Sequence, residues 1–193
     1  MTATRNTAHP VNDCFVNRWS PRAFDGSAMP AADLKTLFEA LRWAPSSNNL
    51  QPWKVLYAHK GTPHFETFLG GLSERNRSWA KNASVLIYLL SNRMQPGAEK
   101  PVQSKAHAFD AGAAWAHLAL QASMMGYATH AIGGFDETTA RSALKVPDDY
   151  HINVAIALGR QADKSILPED LQAREQPSQR KSIEEFTREG LFG

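Results

Sequence analysis

The stretch Ser84 to Leu90 reads SVLIYLL and offers no polar face. A strand of that kind is stable only when both of its faces are covered, so the chain must build layers on either side of a sheet. The apolar run itself, Val85 to Leu90, is far too short to cross a bilayer, which takes about 20 such residues. Ile152 to Leu158 (INVAIAL) is a second buried strand, and Trp53 to Ala58 (WKVLYA) and Ala128 to Ile132 supply two more.

Helices for those layers are marked by their ends. Asn12 is an N-cap for a short helix reaching Trp19, which Pro21 closes. Pro30 opens a helix whose Leu34, Leu37, Phe38 and Leu41 form one apolar stripe, and Pro45 stops it. Lys105 to Met125 is the longest helical pattern, with a small-residue face of Ala108, Ala111, Ala114, Trp115, Leu118, Ala122 and Met125, and Gly126 as its C′ residue. Asp136 caps a further helix running to about Leu144. Thr62 to Trp79 is polar and partly helical, Gln95 to Gln103 is a polar loop, and Gln161 to Gly193 is a long polar arm that needs something to lie against. Helices first, then strands separated by helices, predict an α+β fold with a mixed central sheet flanked by helices. We expect one domain over residues 12–193, preceded by a mobile leader at 1–11.

Composition narrows the partners. The 21 Lys and Arg are nearly balanced by 19 Asp and Glu, and no basic cluster of the kind nucleic-acid binding requires stands out beyond Arg180-Lys181. The single cysteine, Cys14, excludes an intramolecular disulfide framework and a cysteine-based zinc site. The leader lacks an apolar signal core, so the expectation is a cytoplasmic protein that meets neither membrane nor nucleic acid.

The sequence holds no Walker A loop, GxSxG elbow, HExxH or GxGxxG, and its seven histidines are scattered; no metal site is expected. Two polar loops remain. Arg18-Trp19-Ser20-Pro21-Arg22 sets two guanidinium groups and a hydroxyl within one short segment, a donor set matched to phosphate oxygens. A solvated helix end would present the same residues. Pro45-Ser46-Ser47-Asn48-Asn49-Leu50-Gln51-Pro52-Trp53 gathers amides and hydroxyls between two prolines, suited either to a ligand rich in heteroatoms or to helix capping and a turn.

RWSPRAF, APSSNNLQPW, IGGFD, ALGR and QRKSIEEF, in this order along nearly the whole chain, resemble the successive landmarks of the nitroreductase family. The resemblance implies a homodimer with FMN at the interface, its C-terminal arm packed on the partner subunit. It implies that Arg18, Trp19 and Ser20 hold the phosphate and ribityl chain, that Arg22 lies at the pyrimidine edge, and that Arg180 and Lys181 complete the phosphate site. Pro45, Ser46, Ser47 and Asn49 would reach the cofactor of the other subunit, with Gln51 supporting the loop and Trp53 a strand residue outside the site. Ile132, Gly133 and Gly134 would pass their backbone beside the ring, near N5, with glycine permitting the approach. Asn76 matches a ring-contacting asparagine, but Trp79 stands where many relatives have a lysine, and Gly133 where some have an acid.

The reaction implied is ping-pong: hydride from NAD(P)H onto flavin N5, then reduction of a small acceptor such as a nitroaromatic or quinone, with no essential catalytic acid or base. Dehalogenating or flavin-fragmenting relatives, which carry a lid over the flavin, and a non-enzymatic FMN storage or redox-sensing protein are the alternatives. Only Thr62 to Trp79 or Gln95 to Gln103 could form such a lid.

Overall fold

The computed structural model describes residue 5, residues 7–95 and residues 102–192. Its elements run α1 (Asp13–Asn17), α2 (Ala31–Arg42), β1 (Trp53–His59), α3 (Pro63–Gly70), α4 (Glu74–Ala80), β2 (Val85–Asn92), α5 (His107–Met124), β3 (Ala128–Ile132), α6 (Glu137–Ala143), β4 (Tyr150–Gly159) and α7 (Glu169–Gln172). Residues 96–101 of the expected polar loop and residues 1–4 and 6 of the expected leader lie outside the described residues.

β2 is buried on both faces, as its composition requires. Val85, Ile87 and Leu89 face one core and Leu86, Tyr88 and Leu90 the other, following the period of two along a strand. α2 and α5 cover the first face through Leu34, Leu37 and Leu41 and through Ala111, Ala114, Leu118 and Ala122. The alanines let α5 lie close enough to touch α1, α2 and all four strands. Phe65 and Phe68 of α3, Trp79 and Ala80 of α4, and Leu72 between the two helices cover the second face, with Ala140 and Leu171. The segment 62–79 is therefore a packed layer and not a lid.

The caps stand where their chemistry puts them. The Asn12 side chain accepts from Cys14 N–H, Asp136 accepts from Thr139 N–H, and Gly126 closes α5 at φ 75°. α1 is shorter than expected: it ends at Asn17, and Arg18 is already extended at φ −65°, ψ 125°.

The sheet order is β1-β2-β4-β3, and every pairing is antiparallel. The expectation of a mixed sheet is thus corrected for the described strands. α5 does carry the chain across so that β3 runs parallel to β2, but β4 then inserts between them, antiparallel to both. Alternating elements reveal a crossover and cannot reveal which gap the last strand fills. A register shift at Leu89/Leu90 leaves Asn153 as the extra residue of β4, so Ile152 and Ala155 both face the second core.

The arm has more core character than its composition indicates. Leu167, Leu171 and Glu175 are buried against the chain's own core, whereas residues 178–192 are exposed throughout.

Candidate functional site

The loop from Arg18 to Ala23 is held from two sides. On one, Glu175 Oε1 accepts from the backbone N–H groups of Arg22 at 2.6 Å and Ala23 at 2.9 Å. On the other, His130 Nδ1 lies 2.9 Å from the Pro21 carbonyl oxygen. A carbonyl only accepts, so Nδ1 carries the proton, and Nε2 is bare in the neutral ring. Burial lowers the His130 pKa from its ordinary value; the Pro21 bond opposes this and the Arg22 charge adds to it. Beyond Ala23 the chain is tied to the end of β4 by Ala162 N–H to Ala23 O and Asp25 N–H to Arg160 O.

This loop forms one wall of a cleft of about 360 Å³. Arg18, Trp19, Ser20 and Arg22 line it, and Arg180 reaches it from the arm. Arg5, Arg174, Gln176, Ser178 and His130 complete the lining and were not foreseen from sequence. Five guanidinium groups thus share one small space. Burial lowers the Arg18 pKa, and the neighbouring charges of Arg180 and Arg5 lower it further. Such a cluster of like charges is relieved by a bound dianion, and Ser20 Oγ, 3.3 Å from Arg18 Nη1, adds a hydroxyl donor. The donor set fits a phosphate group.

Lys181 does not line this cleft; it lines an adjoining groove with Val11, Phe15, Ile183 and Phe186, and Arg5 and Arg180 border both. Arg180 is the member of the basic pair that the structure brings to Arg18. Arg5 belongs to the segment expected as a mobile leader; it donates to the carbonyls of Val16 at 2.8 Å and Arg18 at 2.9 Å.

From the cleft, the outer edge of β3 leads to Gly133 and Gly134. Asn76 Nδ2 donates to the Gly134 carbonyl at 2.9 Å, and a Cβ at Gly134 would lie 2.5 Å from that nitrogen. A Cβ at Gly133 would meet nothing within 4 Å, so this backbone is open to an approaching group. Ile132 is buried in the second core and can offer only its main chain. Trp79, at the position where relatives have lysine, is 1% exposed, stacked on Phe24 at 6.3 Å and tilted against His130 at 4.8 Å. It supports the site from inside the core and supplies no charge.

The second polar loop lies far from the first. Pro45, Ser47 and Asn49 are exposed and Ser46 is half-buried. Asn48, Asn49 and Gln51 hold left-handed backbone at φ 50°, 54° and 48°, a conformation asparagine tolerates better than most residues. Gln51 stabilises the turn, its N–H donating to Ser46 Oγ at 3.0 Å and its Nε2 to Asn49 O at 3.1 Å. The buried Asp110 of α5, also unforeseen, accepts from Ser47 N–H at 3.2 Å.

This loop leads into β1, one edge of the sheet, while the arginine cleft borders β3, the other. Three strand spacings separate them, roughly 14 Å across. Trp53 stands opposite Ser91 and so His151, whereas His130 stands opposite Ala157, adding roughly 20 Å along the strands. With β2 and β4 between them, the two loops of one chain do not line a common pocket.

A sheet covered on both faces, with an arginine-lined cleft on one edge and an uncharged polar loop on the other, is an α+β architecture. The chain belongs to the nitroreductase family, whose model matches residues 16–64 and 58–160. Over 131 residues it is 33% identical to an uncharacterized 15.4 kDa protein of Mycolicibacterium smegmatis, spanning 66% of this chain and 86% of that one. An oxidoreductase containing FMN, known from its crystal structure, is 44% identical and superposes with a TM-score of 0.96 over 100% of this chain and 99% of the other. A putative nitroreductase of Desulfovibrio desulfuricans, solved in complex with FMN, shares the fold at a TM-score of 0.76 and 23% identity, over 97% and 100% of the two chains. Among the described residues no helix is long and apolar enough to cross a membrane, and no cluster of three metal-ligating side chains occurs.

Proposed function

We propose that the protein is an FMN-dependent oxidoreductase that takes hydride from NAD(P)H and reduces small acceptors such as nitroaromatics or quinones in two separate half-reactions. The observation that carries this reading is the arginine cleft at His130 of β3, with the open backbone of Gly133 three residues further along the same chain. When bound, FMN supplies the reversible hydride chemistry, and the protein supplies binding and electrostatics.

Arg18, Arg174 and Arg180, with Ser20 and the backbone at Trp19, hold the phosphate. Arg22, fixed by its backbone bond to Glu175, presents a cation towards the pyrimidine edge, where it favours the reduced cofactor. Asn76 and the Ile132–Gly134 main chain border the ring. No general acid or base is assigned.

Pro45, Ser46, Ser47 and Asn49 of a second copy close the other side, a reading supported by their distance from the cleft of their own chain. The outward face of α5 supports such a dimer: its exposed residues Ala108, Phe109, Gly112, Ala116 and Met124 carry no charge, and Phe109 is 81% exposed. The exposed arm at 178–192 has the reach to lie on that partner.

The purified protein is expected to show flavin absorption bands that bleach when NADH or NADPH is added without air. A colourless protein that takes up no added FMN contradicts the proposal. Colour that neither nucleotide bleaches contradicts turnover and leaves only binding.

A further inference from the structure

We infer that Glu175 is a positioning residue: its carboxylate clasps the Arg18–Ala23 loop to the C-terminal arm and so assembles the anion cleft from two segments far apart in sequence. The inference rests on the reading of that cleft as the FMN phosphate site.

Among the described residues of the arm, Glu175 is the only buried polar side chain, and that side chain is 2% exposed. Burying a carboxylate is costly unless its charge is met, and here the work is divided between the two oxygens. Oε1 takes two backbone N–H groups of the loop. Oε2 has no hydrogen-bond partner and faces the Arg22 guanidinium at 3.6 Å. The first interaction fixes the backbone of the loop, and the second aims one cation. On the arm, the residues on either side of Glu175, Arg174 and Gln176, both line the cleft. One buried side chain therefore sets the loop wall and the arm wall at once. The carboxylate's charge is met by the two amides and by Arg22, one of the five cleft arginines, and it makes no ion pair with the other four.

The test compares Glu175→Ala with Glu175→Gln, reading amide hydrogen exchange in the FMN-free protein and FMN affinity by fluorescence titration. Alanine removes the acceptor, so exchange at Arg22, Ala23 and residues 174–176 should quicken by about tenfold or more, and FMN affinity should fall by a similar factor. Glutamine keeps an acceptor for both amides; exchange should stay near the wild-type rate and affinity should recover most of the loss. Unchanged exchange in Glu175→Ala overturns the clasp. Faster exchange with unchanged FMN affinity also overturns it, because the carboxylate would then be a local stabiliser that positions nothing. Should alanine prevent folding, a Glu175→Gln protein as weak for FMN as Arg18→Ala would overturn the inference by itself. Exchange is read without FMN, so a wild-type protein that binds no FMN defeats the flavin reading while the exchange pattern still decides the clasp.

Discussion

The two polar loops, one with two arginines and the other uncharged, also differ sharply in structure. Arg18–Ala23 is gripped by His130 and Glu175, merges into a buried Ala23-Phe24 pair, and faces a cleft furnished by its own chain. In Pro45–Trp53 the residues Pro45, Ser47, Asn48, Asn49 and Gln51 are exposed, the turn is braced by Gln51 and by Asp110, and the end from Leu50 to Trp53 packs back on its own chain. The first lines a cleft built by its own chain; the second presents its polar groups away from that cleft. In the proposed dimer each loop serves a different cofactor, and single substitutions should separate them.

Arg18→Ala should have the largest effect. It removes a half-buried guanidinium from the phosphate cleft, and FMN affinity should drop by about 2 kcal/mol, the scale of a charge-assisted hydrogen bond. Ser47→Phe should weaken FMN binding through bulk alone while the melting temperature of the FMN-free protein stays within about 2 °C of the wild type, because the side chain is exposed in its own chain. Equal melting shifts in both variants would erase the distinction between the loops.

A smaller effect concerns pH. Burial lowers the folded His130 pKa from 6.5, so below that value the unfolded chain binds more protons than the folded one. Stability is full above pH 6.5 and is lost as pH falls through the region beneath it. Thermal melts from pH 7.5 down to 5 should show this decline, and His130→Gln, which can still donate to Pro21 O, should flatten part of it. His107 contributes in the same direction, its pKa lowered by burial and by His151 at a ring distance of 5.9 Å. An unaltered pH slope in His130→Gln would remove this residue from the grip on the first loop.

Much of the framework was legible because its determinants are local. Asn12, Pro30, Asp136 and Gly126 announce helix ends through backbone chemistry that needs no distant partner. The unbroken apolar run of β2 announced two covered faces. The antiparallel order of the sheet was hidden, since it depends on which gap β4 enters. The candidate site was legible where donors cluster in the chain, as at Arg18-Ser20-Arg22. It was illegible where the fold does the gathering: Arg5 and Arg174 meet Arg18 across 169 residues of separation between themselves, and nothing near Glu175 marks it as buried. Asn76 and Gly134 touch although two strands and a long helix intervene, and only Arg180 of the Arg180-Lys181 pair reaches the arginine cleft once the arm is folded. Trp79 shows the reverse case, a position assigned by resemblance to the ring edge that packing draws into the core.

The central claim is that each site joins the cleft of one copy to the loop of another. Arg18→Ala chains and Ser47→Phe chains, each poor in FMN, can be mixed, dissociated and reassociated. Random pairing makes half the dimers mixed, and each mixed dimer carries one site with both halves intact, so about one site in four should regain wild-type FMN affinity. A mixture that binds FMN no better than its two components would show that cleft and loop serve the same copy, and would contradict the account.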